Sequence, residues 1–257
     1  MIPTNNTVPY KATPIVTYAI MAICALTFLY EMILSQAQFM NFLNDNALVP
    51  ARYTNSSWAE KNGLWQSDLT PFVTSMFLHG GLLHIASNLW TFWIFGPALE
   101  DRLGAKNFAL LYLLAGLAAG AAHFVFNFSS TAPALGASGA IAGIIAAYVR
   151  RFPYAWINIL QPVGLMPIFL FMPAIVFAGL WFMAQIASGM GSMFLPGRED
   201  GVAWWAHVGG FLAGWLLIKR MTGPINQAEE QQSATRSFLW PLENWYRWMT
   251  WWWRRGR

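Results

Sequence analysis

Charged residues are scarce in this chain. Only 10% of its 257 residues are Asp, Glu, Lys or Arg, whereas 56% are hydrophobic. Because soluble domains carry about 25% charged residues, this composition excludes an ordinary soluble domain and predicts a membrane protein. Cysteine is scarcer still, because the chain has only Cys24, which lies inside an apolar run. A single cysteine excludes a disulfide framework.

Long apolar runs are what the sequence has instead. A bilayer core about 30 Å thick needs about 20 apolar residues in a helix. We predict an all-α membrane protein with six transmembrane helices, at residues 15–34, 81–99, 108–128, 137–149, 163–187 and 202–218. The fourth is short because Arg150 and Arg151 end it, and Pro167 and Pro173 are expected to bend the fifth.

The basic residues predict the orientation of these helices. If the N-terminus is cytoplasmic, all but three of the 15 lysines and arginines lie inside, as the positive-inside rule requires. The three on the outside are Arg52, Lys61 and Arg198. The net charge of +4 follows from this bias and requires no nucleic-acid partner.

The predicted domain organisation has three parts. Residues 1–13 form a short cytoplasmic N-terminus, residues 14–219 form the six-span domain with a long outer loop at 36–80, and residues 220–257 form a cytoplasmic tail. The tail ends in a segment rich in Trp and Arg, a composition that favours the lipid headgroup layer. It is expected to form an interfacial helix on membrane lipid, or else to be disordered with exposed aromatic side chains.

Ser138 stands out among the polar residues at membrane depth. It begins the fourth helix within LGASGAIAG (135–143), and a helix N-terminus offers the free N–H donors that an oxyanion needs. Small residues at GxxxG spacing in the fourth and sixth helices allow close packing, which would bring Ser138 within reach of His207. A hydroxyl beside a neutral imidazole is an activated nucleophile. The alternatives are a small residue at a helix contact and a buried histidine bonded to a backbone carbonyl.

Two further side chains accompany this candidate Ser–His dyad. His84 and Asn88 are four residues apart, so they share one face of the second helix, and both can donate hydrogen bonds to an oxyanion. The alternative is hydrogen bonding between helices. The four histidines could in principle meet at a metal, but no acidic residue lies within the second, fourth or sixth span, so we expect none. His123 is interpreted as a helix-end histidine near the interface.

Several motifs resemble those of the rhomboid intramembrane serine proteases. Each main motif lies on a different predicted helix, and their order and spacing are more specific than any one of them alone. They are HGGLLHIASNLW (79–90) followed by ALEDRLG (98–104), GASG (136–139) and AHVGGFLAG (206–214), with ALVPARY (47–53) in the outer loop. The resemblance covers roughly residues 14–219.

The resemblance implies roles for four residues. Ser138 would be the nucleophile and His207 the general base, while His84 and Asn88 would line the oxyanion hole with the Ser138 backbone N–H. It also implies a six-helix bundle whose active site opens to the periplasmic side of a bacterial inner membrane. The implied reaction, which needs no cofactor, is hydrolysis of a peptide bond in or near the transmembrane segment of a membrane-protein substrate.

The resemblance extends to the surroundings of the site. The fifth span would serve as a lateral gate, and residues 189–201 would cover the site. Many rhomboid proteases have an aromatic residue four positions after the serine, packed under the histidine ring, where this chain has Ala142. The alternative function is a non-catalytic rhomboid-like protein that binds transmembrane helices as an adaptor or chaperone.

Overall fold

The structure is a computed structural model, and it describes residues 1–163, 166–194 and 203–222. Helices dominate these residues, and a small sheet lies beside them. The helices are α1 (Ile15–Ile33), α2 (Gln36–Asn46), α3 (Ala51–Thr54), α4 (Ser56–Lys61), α5 (Pro71–Thr74), α6 (Leu82–Leu103), α7 (Ala105–Phe126), α8 (Ser138–Arg151), α9 (Ala174–Phe194) and α10 (Trp204–Met221). The strands are β1 (Ile2–Asn6), β2 (Trp156–Val163) and β3 (Met166–Pro173).

The small sheet corrects the prediction of an all-α fold. β2 pairs antiparallel with both β1 and β3, so the predicted N-terminal segment contributes a strand and the predicted fifth span begins with one. Prolines explain why the predicted fifth span begins with a strand. Pro167 and Pro173 lack the N–H that a helix interior needs, and each favours extended backbone in the residue before it. α9 therefore begins directly after Pro173 rather than at residue 163.

Three of the described helices are long and apolar enough to cross a membrane, namely α1, α7 and residues Ala174–Gly191 of α9. They correspond to the first, third and fifth predicted spans. At the other three predicted spans, α8 has only 14 residues, and α6 and α10 carry charged residues in their last turns. The chain is thus a mainly helical membrane protein, and the six-span count stays a prediction.

The centre of the fold is α8, in which every residue from 139 to 149 is buried. This helix packs against α6, α7 and α10. Small residues line these contacts: a Cβ on Gly143 would collide with Ala115 of α7, and a Cβ on Gly214 of α10 would collide with the carbonyl oxygen of Gly143. Because only small residues allow helix backbones to approach this closely, they determine how α8 sits between its neighbours.

A buried carboxylate joins α6 to the start of α1. Glu100, 4% exposed, accepts hydrogen bonds from the backbone N–H groups of Val16 and Thr17, each at 2.8 Å, and from the Thr17 hydroxyl at 2.7 Å. The first N–H groups of a helix have no partner inside it and carry a partial positive charge. The Glu100 carboxylate binds two of these N–H groups, so it anchors α1 against α6.

The long connection at 36–80 has structure of its own, in α2 to α5. Arg52, 3% exposed, donates hydrogen bonds to two backbone carbonyl oxygens of this connection and to the Asp68 carboxylate at 2.9 Å. Leu48 pairs with Ala134 through an antiparallel bridge. That bridge fastens the connection to the segment just before α8.

Two predicted segments lie wholly or partly outside the described residues. The tail is the first, because α10 ends at Met221 and the structure describes nothing beyond residue 222. The predicted covering loop at 189–201 is the second. Its first residues belong to α9, which continues to Phe194, and residues 195–201 lie outside the described part.

Candidate active site

Ser138 and His207 lie side by side in the structure. The Ser138 Oγ is 2.7 Å from the His207 Nε2, which is a hydrogen-bond distance. Ser138 is the first residue of α8, and His207 lies about one turn into α10. The histidine is 8% exposed and the serine is half-buried. A serine hydroxyl in contact with an imidazole in this way can lose its proton as it attacks a carbonyl group.

Glycines set the distance between these two side chains. A Cβ on Gly210 would collide with the carbonyl oxygen of Gly139, so the backbones of α8 and α10 touch at this crossing. Ser138 directly precedes Gly139, and His207 lies three residues before Gly210 on the same face of α10. The crossing therefore brings together the two residues that the sequence analysis paired.

The turn before α8 brings His84 and Asn88 toward Ser138. Gly136 has a φ of +123°, in a region that favours glycine, and its N–H donates to the Ser75 carbonyl oxygen at 2.8 Å. A Cβ at this position would lie 2.8 Å from the His84 ring and 3.6 Å from the Asn88 Nδ2. Glycine at this position thus allows both α6 side chains to approach the turn that leads into Ser138.

Two hydrogen-bond donors in this region are available to a ligand. The Asn88 Nδ2 is buried and has no hydrogen-bond partner among the described residues. The Ser138 N–H, at the first position of α8, has no acceptor inside the helix. A buried polar group without a partner costs free energy. The two groups are therefore candidate donors to an oxygen atom that binds at Ser138.

A comparison with known protein families identifies the family of this chain. The family model described as the Rhomboid domain matches residues 63–222. The match covers more than half of the chain and includes α6, α8 and α10, the helices that carry the site. The chain belongs to the rhomboid family. The resemblance of its motifs to those of rhomboid proteins is thereby confirmed.

Individual rhomboid relatives are similar over shorter stretches. Rat mitochondrial presenilin-associated rhomboid-like protein is 32% identical over 151 residues, which are 58% of this chain and 37% of that protein. RHOMBOID-like protein 6 of Arabidopsis thaliana mitochondria is 30% identical over 145 residues, 56% of this chain and 41% of that protein. Rhomboid protease GluP of Bacillus subtilis is 44% identical over 85 residues, 33% of this chain and 15% of that protein.

These relatives bear on the predicted location. The chain spans less than half the length of each of the three. Two are mitochondrial by name and one comes from a bacterium, so the comparisons do not support the predicted assignment to a bacterial inner membrane. What they support is a rhomboid-family membrane protein, with one relative that is named a protease.

A residue without a predicted role completes the site of this rhomboid protein. Gln185 of α9, 6% exposed, places its Oε1 2.7 Å from the His207 Nδ1, so both ring nitrogens of the histidine have a partner. A polar side chain at membrane depth generally indicates function, and Gln185 is such a side chain. Its partner lies on another helix, which no local pattern in the sequence indicates.

Aromatic rings flank His207 although Ala142 provides none. Ala142 is fully buried within α8. The ring centroids of Trp181 and Trp204 lie 5.8 Å and 6.2 Å from that of His207. In this rhomboid protein the histidine ring is therefore packed by residues of α9 and of the start of α10, and not by the residue four positions after Ser138.

His123 is a helix-end histidine, as the sequence analysis predicted, and it also lies close to Ser138. It is in the last turn of α7, and it lines a cavity of about 40 Å³ that also contacts Ser138. A single water molecule needs about 10–15 Å³ of such space. The cavity is thus large enough to hold a water molecule beside Ser138.

His79 supports the start of α6. Its backbone N–H donates to the Glu31 carboxylate at 3.2 Å, and its ring packs edge-on against His84 with centroids 5.2 Å apart. Burial, together with the nearby His84, lowers the pKa of His79 to about 4. The ring is therefore neutral at pH 7, and it adds packing rather than charge beside His84.

Proposed function

We propose that this rhomboid protein is an intramembrane serine endopeptidase that hydrolyses a peptide bond in or near the transmembrane segment of a membrane-protein substrate. The observation that carries the proposal is the 2.7 Å separation between the Ser138 Oγ and the His207 Nε2. Membership of the rhomboid family supports it, as does a relative named a rhomboid protease. The reaction needs no cofactor, because serine and histidine supply the nucleophile and the base.

In the proposed mechanism, His207 acts first as a base and then as an acid. Its Nε2 accepts the Ser138 proton while the Oγ attacks the carbonyl carbon of the scissile peptide. The Ser138 N–H, the Asn88 amide and the His84 ring donate hydrogen bonds to the resulting oxyanion. His207 then passes the proton to the leaving amine, and water hydrolyses the acyl-enzyme with His207 again as the base.

The proposed membrane arrangement is a six-span bundle. In it, α6, α8 and α10 cross the bilayer beside α1, α7 and α9, with the start of α1 and the end of α10 on the cytoplasmic side. Ser138 lies at the opposite end of α8 from Arg150 and Arg151, so the site opens toward the outer side. α8 is short, roughly 21 Å at about 1.5 Å per residue, so Ser138 lies below the outer membrane surface.

Labelling with a fluorophosphonate probe tests the function without a known substrate. Purified parent protein in mild detergent is compared with Ser138→Ala and His207→Ala, and with Ser57→Ala, which removes an exposed serine of α4. We expect the parent and Ser57→Ala to label at the same rate, and the other two variants not to label. Thermal unfolding of every sample shows whether it is folded.

The other outcomes are equally informative. A folded parent that does not label would contradict the proposal and would favour the alternative, a non-catalytic protein that binds transmembrane helices as an adaptor or chaperone. Labelling that persists in His207→Ala would leave Ser138 as the nucleophile and assign the base to another residue.

A further inference from the structure

The second nitrogen of the His207 ring is bound by a side chain from a different helix. The Gln185 Oε1 lies 2.7 Å from the His207 Nδ1. Both residues are more than nine-tenths buried, with 6% and 8% of their surfaces exposed. Water therefore has little access to this contact. The hydrogen bond itself determines which ring nitrogen of His207 carries hydrogen.

The orientation of the Gln185 amide follows from its other contact. The amide Nε2 donates to the carbonyl oxygen of Trp181, one turn earlier in α9, at 3.3 Å. A carbonyl oxygen only accepts hydrogen bonds, so the Nε2 must be on that side of the amide and the Oε1 must face His207. The contact with Trp181 thus favours this orientation over the flipped amide.

The amide orientation in turn sets the tautomer of His207. Because the Gln185 Oε1 can only accept, the His207 Nδ1 must carry the ring hydrogen, and in a neutral imidazole the Nε2 is then bare. The bare Nε2 is the atom that faces the Ser138 Oγ at 2.7 Å. It is the tautomer in which the histidine can accept the serine proton.

We propose that Gln185 is a positioning residue that holds His207 in the tautomer and orientation needed to activate Ser138; the inference rests on the proposed protease function. Because Gln185 belongs to α9, His207 is correctly oriented only while α9 is packed against α10. Packing of α9 therefore determines whether the site is competent.

The aromatic rings around His207 pack the histidine independently of the hydrogen bond to Gln185. The indole rings of Trp181 and Trp204 flank the histidine, and an indole can donate a hydrogen bond but cannot accept the Nδ1–H. Without Gln185 the ring keeps its packing and loses the hydrogen bond that selects the tautomer. A change of Gln185 is thus expected to alter the protonation pattern of the ring more than the stability of the fold.

The test compares two substitutions of Gln185 by the rate of fluorophosphonate labelling. Gln185→Leu removes the acceptor and keeps a similar volume, and loss of such a positioning contact is expected to slow labelling about 10–100-fold. Gln185→Glu keeps an acceptor oxygen and is expected to label faster than Gln185→Leu. Met183→Leu, at an exposed position of α9, and Gln161→Leu, on β2, are the controls and should label at the parent rate.

A spectroscopic measurement separates positioning from a general loss of structure. Nitrogen-15 NMR of histidine-labelled protein, with the His207 signals assigned from His207→Ala, reports which ring nitrogen carries hydrogen. We expect Nδ1–H in the parent and in Gln185→Glu, and a mixture of tautomers in Gln185→Leu.

The outcomes distinguish this inference from the function on which it rests. If the parent labels and Gln185→Leu labels equally fast, or labels slowly with an unchanged tautomer, Gln185 is not a positioning residue and the protease function stands. Equally slow labelling of the Leu and Glu variants would also overturn the inference. If the folded parent does not label at all, the proposed function itself fails.

Discussion

At the scale of single residues, the candidate site consists of groups whose partners come from different helices. Ser138 contributes a hydroxyl and a free N–H from α8, and His207 contributes a base from α10. Asn88 contributes a buried Nδ2 without a partner among the described residues. A buried donor of this kind is costly unless a ligand uses it, which is the physical argument for its role toward an oxyanion.

Asn88→Ala tests that role. Removal of one oxyanion donor costs about 10²–10³ in rate in a soluble serine protease, so we expect fluorophosphonate labelling to slow by about that factor, and to slow less than in Ser138→Ala. Asn107→Ala, at an exposed position of α7, is the matched control and should not change the rate. If Asn88→Ala labels at the parent rate, Asn88 is not an oxyanion donor.

At the scale of elements, the site depends on how closely α8 approaches α10. Ser138 and His207 lie beside the crossing at Gly139 and Gly210, where no Cβ fits on Gly210. The distance between the Ser138 and His207 side chains is thus a property of two helix backbones and not of two flexible side chains. A displacement of about 1 Å between reacting groups can lower a rate about 100-fold, so small changes in this crossing should have large effects on activity.

Gly210→Ala is expected to affect both stability and labelling. The added methyl group collides with the Gly139 carbonyl oxygen, and overpacking of this kind costs about 1–3 kcal/mol. We expect a lower midpoint of thermal unfolding and at least about a 100-fold loss of labelling rate. Gly179→Ala is the control, because a Cβ on Gly179 of α9 meets nothing within 4 Å. A Gly210→Ala protein with parental stability and labelling would show that the crossing does not set the distance.

The contact between α6 and α1 depends on the charge of Glu100. Glu100→Gln replaces a carboxylate that accepts three hydrogen bonds with an amide that has only one acceptor oxygen. Hydrogen bonds to charged groups contribute about 1.5–3 kcal/mol each, so we expect a loss of roughly 2 kcal/mol or more in the free energy of unfolding. Glu60→Gln, at an exposed position of α4, should change it by less than about 0.5 kcal/mol. Equal effects of the two substitutions in denaturant unfolding would argue against an anchoring role for Glu100.

At the scale of the whole molecule, the described residues have two distinct ends. One end contains the start of α1 beside the end of α6, where the Ala12 N–H donates to the Asp101 carboxylate, together with the ends of α8 and α10. The other end contains the connection at 36–80, which pairs with the segment before α8. Most of the basic residues in the described part of the chain belong to the first end, which the proposed topology places in the cytoplasm by the positive-inside rule.

Cysteine labelling checks this orientation. Cys24 is fully buried, so it provides a silent background for new cysteines at Ser57 in the outer connection and at Asn107 near the start of α7. We expect a membrane-impermeant maleimide to label Ser57→Cys in intact cells that express the protein, and to label Asn107→Cys only after permeabilisation. The reverse pattern would invert the proposed topology and place the active site on the cytoplasmic side.

Local sequence patterns are sufficient to predict the membrane class, two of the long helices and the candidate site residues of this protein. Scarce charge and long apolar runs indicate a membrane protein, and the bounds of α1 and α7 differ from the predicted spans by at most three residues. Ser138, His207, His84 and Asn88 lie in short motifs, and the structure gathers them around one turn and one helix crossing. Glycine spacing makes that crossing predictable, because small residues at four-residue intervals occupy one face of a helix.

Tertiary structure alone decided the features that depend on distant partners. β1 forms only because its residues pair with β2, about 150 positions later, and nothing within the first 13 residues specifies that pairing. The role of Gln185 has the same origin: the residue carries a general signal of function, but its contact with His207 exists because α9 packs against α10. Periodicity and spacing report which face a residue occupies, whereas the packing of whole helices decides what that face meets.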